Sequence, residues 1–509
     1  MSAVPKRLAE RGVRISQEPA SAERCRLAAI ALQKQGRIDQ AIRLYQRGLA
    51  LNPSDASAYR CLGTAYKTQK RFDLATACFR RAVDLCPHFP EAWNNLGNTL
   101  AEQRQDVEAA ACFERAFTVQ PHFAGAHFNF GQALGRMGRF DEAIAALRRA
   151  LDLSPRSAEF YNGLGIAFYN TGRIDEAVAA YDRAISLRSD FGLARYNRSH
   201  SLLLLGDYLR GWPEYEWRWK LENVSLPRFP QPRWDGSSHP HQTILLDAEQ
   251  GLGDTIQFVR YVPLIRERLG RIVLRCQRPL VRLLTGVPGL DRVIGQDEPT
   301  GPFDVWSPLL SLPLYFTPNV ESIPSRVPYL PDDPAIIRFW QERLHHIDGV
   351  RIGINWQGNP AFPKDRFRSV PLHCFEPLAR VPRVRLISLQ KGHGREQLEK
   401  RDVPFPVIDL NLSLDEIHGP FVDTAAILRC LDLVITSDTS LAHLAGALGI
   451  ETWLAVPSVP EWRWLMCRDD SPWYPTLRLF RQNLPNQWTD VFTRMAARLA
   501  ERVDLRRKE

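Results

Sequence analysis

Long hydrophobic runs are missing from this sequence. No apolar stretch approaches the ~18 residues that a membrane-spanning helix needs, so no membrane span is expected. Lys6, Arg7, Arg11 and Arg14 are followed by no apolar stretch within secretory distance, so no signal peptide is expected and the chain is expected to stay in the cytoplasm. The nine cysteines include no C-x-x-C pair, which argues against a disulfide framework or a zinc site and for buried reduced thiols. The net charge is +9, but basic residues are spread along the chain without a block of about five or six like charges, so nucleic acid is not an expected partner. A D-x-D pair of the kind that can hold Mg²⁺ is missing, and so is the Walker A phosphate loop.

What is present is an ordinary globular composition, 44% hydrophobic and 24% charged, in a chain of 509 residues. That length accommodates about three or four domains. The first half repeats itself every 34 residues. Pro53, Pro87, Pro121 and Pro155 mark the period, and each follows a small residue five positions earlier: Gly48, Ala82, Ala116 and Ala150. Leu62-Gly63, Leu96-Gly97, Phe130-Gly131 and Leu164-Gly165 keep step, as do Ala41, Ala75, Ala109, Ala143 and Ala177. Four residues after those alanines stand Tyr45, Phe79, Phe113, Leu147 and Tyr181. Small residues let paired helices approach, and the large side chain is expected to fill a hole in the neighbouring repeat.

These landmarks resemble tetratricopeptide repeats. Five units are expected over residues 22–191, with a degenerate sixth unit acting as a cap to residue 220. Asn95, Asn129 and Asn197 recur at one position of the first helix, interrupted by Leu27, Cys61 and Gly163. They read either as a ladder gripping the backbone of an acceptor peptide or as plain solvation of a polar groove.

Residues 221–242 are rich in proline, glycine and serine and read as a linker. The apolar strand TILLD then runs into the turn Gly251-Leu252-Gly253-Asp254 and a helix, a geometry that brings backbone N–H groups to an anion or is simply a tight strand-to-helix connection. Alternation of strand and helix signals predicts one α/β lobe over 243–335 and a second over 348–487, with a C-terminal helix over 488–509 and an N-terminal segment over 1–21. In the second lobe, Ser437-Asp438-Thr439-Ser440 follows the strand LDLVIT and opens the helix LAHLAGALG, so Thr439 and Ser440 are placed to offer hydroxyls and N–H groups to a diphosphate; the competing reading makes Asp438 an ordinary helix cap. His443 lies on the same side of that helix and reads equally as a ligand contact or a core histidine. Arg366 and Arg368, with Lys364, follow the first strand of this lobe, and Lys391 follows the next; each is a candidate for neutralising a leaving diphosphate or a solvated surface cation.

The motifs EQGLGDTIQF, W-x-G-N-P, D-R-x-R-S-x-P-L, S-L-Q-K-G, D-T-A-A, S-D-T-x-x-A-H-L-A-G-A-L-G, W-R-W-L and S-P-W-Y-P cover about residues 243–482. They resemble bacterial repeat-fused glycosyltransferases of the heptosyltransferase-like family and, more distantly, protein O-linked N-acetylglucosamine transferases. The resemblance implies an α-solenoid followed by the GT-B fold of two Rossmann-like lobes, with a nucleotide-sugar donor between them and no cofactor. It implies transfer to an acceptor protein held by the repeats, flagellin in some similar proteins, or to a saccharide or lipid core. Asp254 is then the catalytic base, and the donor site comprises Gly251, Gly253, Trp356, Gly358, Asn359, Arg366, Arg368, Gln390, Lys391, Asp438, Thr439, Ser440 and His443. The chemistry is expected to be inverting and metal-independent, the acceptor side carrying Asn95, Asn129 and Asn197. The different-class alternative is a non-catalytic adaptor with a relic nucleotide-binding domain.

Overall fold

The computed structural model describes residues 21–506 apart from 222–223, 225, 228, 363, 400–402 and 411–413. The expected N-terminal segment before residue 21, and the last three residues of the expected C-terminal helix, lie outside the described residues. The chain divides into two compact units between Phe191 and Gly192.

The first unit is a series of helical pairs: α1 (Ala22–Lys34) with α2 (Ile38–Leu51), α3 (Ala56–Thr68) with α4 (Phe72–Leu85), α5 (Pro90–Glu102) with α6 (Asp106–Val119), α7 (Ala124–Arg136) with α8 (Phe140–Leu153), and α9 (Ala158–Asn170) with α10 (Ile174–Leu187). Ala41, Ala75, Ala109, Ala143 and Ala177 are fully buried. The periodic glycines are explained by contact. A Cβ on Gly63 would stand 2.8 Å from the Phe79 ring, on Gly97 2.6 Å from Phe113, on Gly131 2.8 Å from Leu147 and on Gly165 2.5 Å from Tyr181. The large residue therefore fills a hole in its own helical pair, not in the neighbouring repeat as expected, because glycine and aromatic face each other across α3–α4, α5–α6 and their equivalents. The turn inside each pair needs one left-handed residue: Gly36, Gly138 and Gly172 supply it at φ of 77°, 80° and 76°, whereas Lys70 and Arg104 hold it at 59° and 63° against the steric cost of a Cβ.

The second unit begins with α11 (Gly192–Leu204) and α12 (Tyr208–Tyr215), followed by a 3₁₀ stretch at Glu216–Lys220. This pair stands where the degenerate sixth unit was expected. The second helix is cut to eight residues with Pro213 inside it, and its aromatic face packs within the second unit: Trp212 meets Trp462 edge-on with ring centroids 5.2 Å apart, and Tyr208 lies 6.4 Å from Trp473. The linker also ends earlier than expected. Trp234 is buried with its backbone N–H donating to the Trp306 carbonyl at 2.8 Å, and the first strand already starts at His239.

Two wholly parallel sheets follow. The first has the order β3-β2-β1-β4, with β1 His239–Asp247, β2 Leu269–Cys276, β3 Arg292–Gly295 and β4 Val305–Pro308. The second has the order β10-β9-β8-β5-β6-β7, with β5 Val350–Asn355, β6 Val384–Ser388, β7 Ile408–Asp409, β8 Leu433–Ser437, β9 Thr452–Val456 and β10 Leu477–Arg481. Strands such as β8 and β9 are buried along their whole length, as parallel strands covered on both faces must be. The C-terminal helix Trp488–Arg506 seals the second sheet with Val491, Phe492, Met495 and Leu499, all fully buried. Among the described residues no helix is long and apolar enough to cross a membrane.

Candidate functional site

In an open parallel sheet the polar residues gather beyond the carboxyl ends of the strands. Here the tails of β5, β6 and β8 are knitted by two buried amides. Gln390 accepts at one oxygen from Asn355 Nδ2 at 2.8 Å and from the Trp356 and Gln357 N–H groups at 3.0 Å each, and its amide nitrogen donates to the carbonyls of Gln357 at 2.9 Å and His393 at 2.6 Å. Asn355 in turn accepts at Oδ1 from the hydroxyls of Thr436 at 3.3 Å and Thr439 at 3.0 Å. Gln390, expected at the donor site, has therefore committed its whole amide to the scaffold, and Asn355, which sequence reasoning passed over, aligns the strand tails. Trp356 is corrected in the same way: it is fully buried and its indole N–H donates to the Gly394 carbonyl at 3.1 Å, so it has no face left for a nucleobase. Replacing Gln390 by leucine is expected to destabilise the second unit by at least about 3 kcal/mol, since several buried backbone groups lose their partners at about 1–3 kcal/mol each. Urea unfolding followed by tryptophan fluorescence reads this cleanly, because Trp93 alone of the thirteen tryptophans lies before residue 192.

The Ser437–Ser440 turn emerges from β8. The cap of the helix Ser440–Ala447 is Thr439, in extended conformation and with no side-chain capping bond, its hydroxyl being spent on Asn355. Asp438 is not the cap. It is 6% exposed, and burial raises its carboxyl above the usual range against the pull of Arg368. Ser437 is fully buried and its hydroxyl finds no partner among the described residues, an orphan of the kind that native cores rarely leave. His443, a candidate ligand contact, is a core residue instead: it shares a 3.0 Å hydrogen bond between Nδ1 and the Tyr474 hydroxyl and stacks on Trp464 at 5.6 Å. Burial, with Arg463 adding to it, holds its imidazole well below the ordinary value.

The glycine turn of the first sheet faces this helix. It opens α13 (Leu252–Phe258), and a Cβ on Gly253 would stand 2.7 Å from His443 and 3.3 Å from the Ser440 backbone, so Gly253 serves the close approach of two helices that follow different sheets. Asp254 caps α13, accepting at Oδ2 from the Gly251 N–H at 2.9 Å. Its Oδ1 accepts from Arg463, a residue that sequence reasoning quoted within W-R-W-L but did not nominate. Arg463 also donates to Gln257 Oε1 and pairs with Glu461 at 2.8 Å, and it lies over the Trp462 ring at 4.3 Å. A guanidinium between two tryptophans is itself a signal: such a residue is buried and must have a carboxylate partner.

The remaining candidates divide. Arg368 pairs with the buried Asp365 at 3.1 Å, and its charge acts on Asp254, Asp438 and His443. Gly358 leaves room for that pair, since a Cβ there would stand 2.3 Å from Asp365 Oδ1. Asn359 caps a local turn through the Ala361 N–H at 3.0 Å, and Arg366 is exposed over the Phe367 ring. Lys391 is drawn aside to Glu416 at 2.6 Å and the Leu414 carbonyl at 3.2 Å. Among the described residues, no cluster of three or more His, Cys, Asp or Glu side chains is placed to hold a metal ion.

In the first unit, Asn129 donates to Asn94 Oδ1 at 2.9 Å and lines a cavity of about 260 Å³ with Lys67, Asn98, Glu102, Gln132 and Arg136. Asn95, half-buried on α5, is not in that lining. Asn197 lies on α11 and belongs to the second unit.

The family model of the tetratricopeptide repeat matches residues 26–88, 62–122 and 128–190. The chain is similar to protein FlbA of Caulobacter vibrioides, at 28% identity over 340 residues, which is 61% of this chain and 56% of FlbA; it thus spans little more than half the length of that relative. Among solved structures, YrrB, a TPR protein with an unusual peptide-binding site, is 24% identical and covers 34% of this chain and 90% of its own at a TM-score of 0.31. A thermophilic TPR protein of Thermus thermophilus, TTC0263, is 25% identical and covers 36% and 100% at 0.31. The N-terminal helical pairs are tetratricopeptide repeats, and they are followed by an α/β region built on parallel sheets.

Proposed function

We propose that the chain is a glycosyltransferase of the GT-B type that moves a sugar from a nucleotide-sugar donor to a protein acceptor brought by the repeats. The observation that carries this reading is the meeting of two strand-to-helix turns from separate parallel sheets: the Asp254 turn lies against the Ser437–Ser440 turn, with Arg463 bonded to Asp254 and Arg368 acting on both acidic residues. In the reaction, the acceptor oxygen forms its bond to the anomeric carbon as its proton passes to Asp254. The bond from that carbon to the diphosphate breaks, and the nucleoside diphosphate leaves with the electron pair. The helix end at Ser440, free of a side-chain cap, and the orphaned Ser437 hydroxyl favour the negative charge of that leaving group, and Arg368 and Arg463 add theirs. This single displacement inverts the anomeric carbon, and the absence of D-x-D favours these groups, rather than a metal ion, meeting the leaving-group charge.

A second reading, a non-catalytic repeat adaptor, is favoured by one observation: both carboxylate oxygens of Asp254 are already engaged. Incubating the full chain with a panel of nucleotide sugars and bacterial protein extract, and measuring nucleoside diphosphate release and acceptor mass, decides between them. Release of a diphosphate with a matching mass gain on a protein is expected. Silence across uridine, guanosine, cytidine and thymidine donors sinks the transferase and leaves the adaptor.

A further inference from the structure

Arg463 is the most heavily used side chain at the junction of the two turns, and its position poses a problem for the chemistry. A carboxylate that accepts from a buried guanidinium on one oxygen and from a backbone N–H on the other is a poor proton acceptor, because both groups stabilise its charged, unreactive form. Yet the same guanidinium acts electrostatically on Asp438 and His443, on the other side of the junction. Its chain neighbour Trp464 stacks on His443 of the helix that opens at Ser440, and Gly253 beside Asp254 approaches the Ser440 backbone, so Arg463 stands at both Asp254 and the turn where a diphosphate would sit.

We propose that Arg463 is a positioning residue that couples donor binding to release of Asp254: with no anion at the Ser437–Ser440 turn it holds Asp254 Oδ1, and a diphosphate there competes for the guanidinium and frees that oxygen for the acceptor hydroxyl. The inference rests on the transferase reading and adds an order to it, donor before acceptor. Three features support the exchange. Diphosphate and carboxylate both accept from the two-pronged guanidinium of arginine, and the diphosphate carries more charge. Gln257 bonds Arg463 through Oε1, while its Nε2, in a fully buried side chain, has no partner among the described residues, so the first-sheet side already holds a donor group without an acceptor. The Ser437 hydroxyl is a second such group on the other side.

The exchange has a protonic signature. The groups acting on Asp254 are Arg463 from the 3₁₀ turn Trp462–Trp464, Glu461 just before that turn, Arg368 from the Asp365–Arg368 helix and the Gly251 N–H, and Asp254 acts in turn on Tyr196 of α11 and Tyr215 of α12. Burial raises the Asp254 carboxyl above its ordinary value and Arg463 opposes that rise. Removing Arg463 takes away the strongest of the groups that oppose burial and leaves only the Gly251 N–H and Arg368 against burial and Glu461, so the carboxyl rises further and takes up a proton. Uridine diphosphate and guanosine diphosphate are titrated calorimetrically into the full chain near pH 6, in buffers of different ionisation enthalpy. The wild type is expected to take up more protons per site than Asp254→Asn, which has no carboxyl to titrate. Arg463→Gln is expected to lose that difference and to bind the diphosphate about tenfold more weakly or worse. Binding with the same proton count in wild type and Asp254→Asn overturns the coupling and leaves the transferase standing. Failure of both diphosphates to bind the wild type overturns both. Should Asp254→Asn fail to fold, the comparison of wild type with Arg463→Gln decides the same question, an equal proton count in those two overturning the coupling.

Discussion

Asp254→Ala is expected to remove detectable transfer, a fall of roughly 10²- to 10⁴-fold for loss of a positioned proton acceptor, while leaving diphosphate binding unweakened. The second half of that statement follows from the charges. Arg463 keeps Glu461 at 2.8 Å and its bond to Gln257, so it is not stranded by the substitution, and it no longer has to be taken from Asp254 by the ligand. The alanine also loses the cap on the Gly251 N–H, which costs the α13 end about 0.5–2 kcal/mol and is visible as a lower unfolding midpoint. Asp254→Asn separates the two roles. Its amide oxygen still accepts from the Gly251 N–H, so the cap survives, but it cannot take a proton at neutral pH. Equal loss of turnover in both variants assigns the chemistry to the carboxylate. Activity that survives in the asparagine variant reduces Asp254 to a cap, and undiminished turnover in the alanine variant removes it from the mechanism.

What could be read from the sequence was what is local. The repeat period was legible because each glycine and the side chain that fills it, Gly63 with Phe79 or Gly165 with Tyr181, lie within one helical pair and recur with it. The strand-to-helix turns at Gly251 and Ser437 were legible because a short apolar run followed by small and polar residues has one common geometry. The partners of those turns were not legible. Asn355 meets Gln390 35 positions away and Thr439 84 positions away, and Arg463 meets Asp254 across 209. Nothing in the spacing of such residues announces the contact; it exists only once two sheets have been built and placed. The same reason hid the internal partners of other candidates. Trp356, Gln390 and His443 have the chemistry of ligand contacts, and only the packing shows that Gly394, Gln357 and Tyr474 have already taken their polar atoms. The α11–α12 pair has the sequence of a fading repeat, but Trp212 and Tyr208 of α12 pair with Trp462 and Trp473, far along the chain.

Arg218→Met is expected to cost the second unit about 1 kcal/mol more at pH 8 than at pH 5, the pH-linked part of the penalty for stranding a buried carboxylate. Arg218 is 2% exposed and lies between the Tyr215 and Trp219 rings at 4.7 and 4.5 Å. It donates to Glu249 at 3.0 Å, to Glu216 at 2.7 Å and to the Ser311 hydroxyl at 2.7 Å. Glu216 keeps Arg233 when Arg218 is lost, so the stranded charge is that of Glu249, which then has only the N–H groups of Leu309 at 3.0 Å and Leu310 at 3.3 Å. Burial pushes the Glu249 carboxyl up to about 7 against the pull of Arg218, whereas in the unfolded chain it titrates near about 4.3. Between those pH values the folded chain holds a proton that the unfolded chain has released, so the contribution of Glu249 to stability falls as pH rises. At pH 5 the carboxyl is neutral in the fold and does not need the guanidinium; at pH 8 it is charged and does. Adding Glu249→Gln to Arg218→Met should therefore relieve that extra loss at pH 8, leaving a penalty that no longer differs between pH 8 and pH 5, in urea unfolding followed by tryptophan fluorescence. A penalty independent of pH, or unrelieved by the glutamine, would refute the assignment. The point bears on function because Glu249 stands two residues before the glycine turn, and its neighbour Gln250 exchanges hydrogen bonds with the Tyr215 hydroxyl at 2.9 and 3.3 Å. The helical pair that looks like the last repeat thus holds the turn that carries Asp254, and loosening Arg218 should lower transfer at pH 8 even where the chain remains folded.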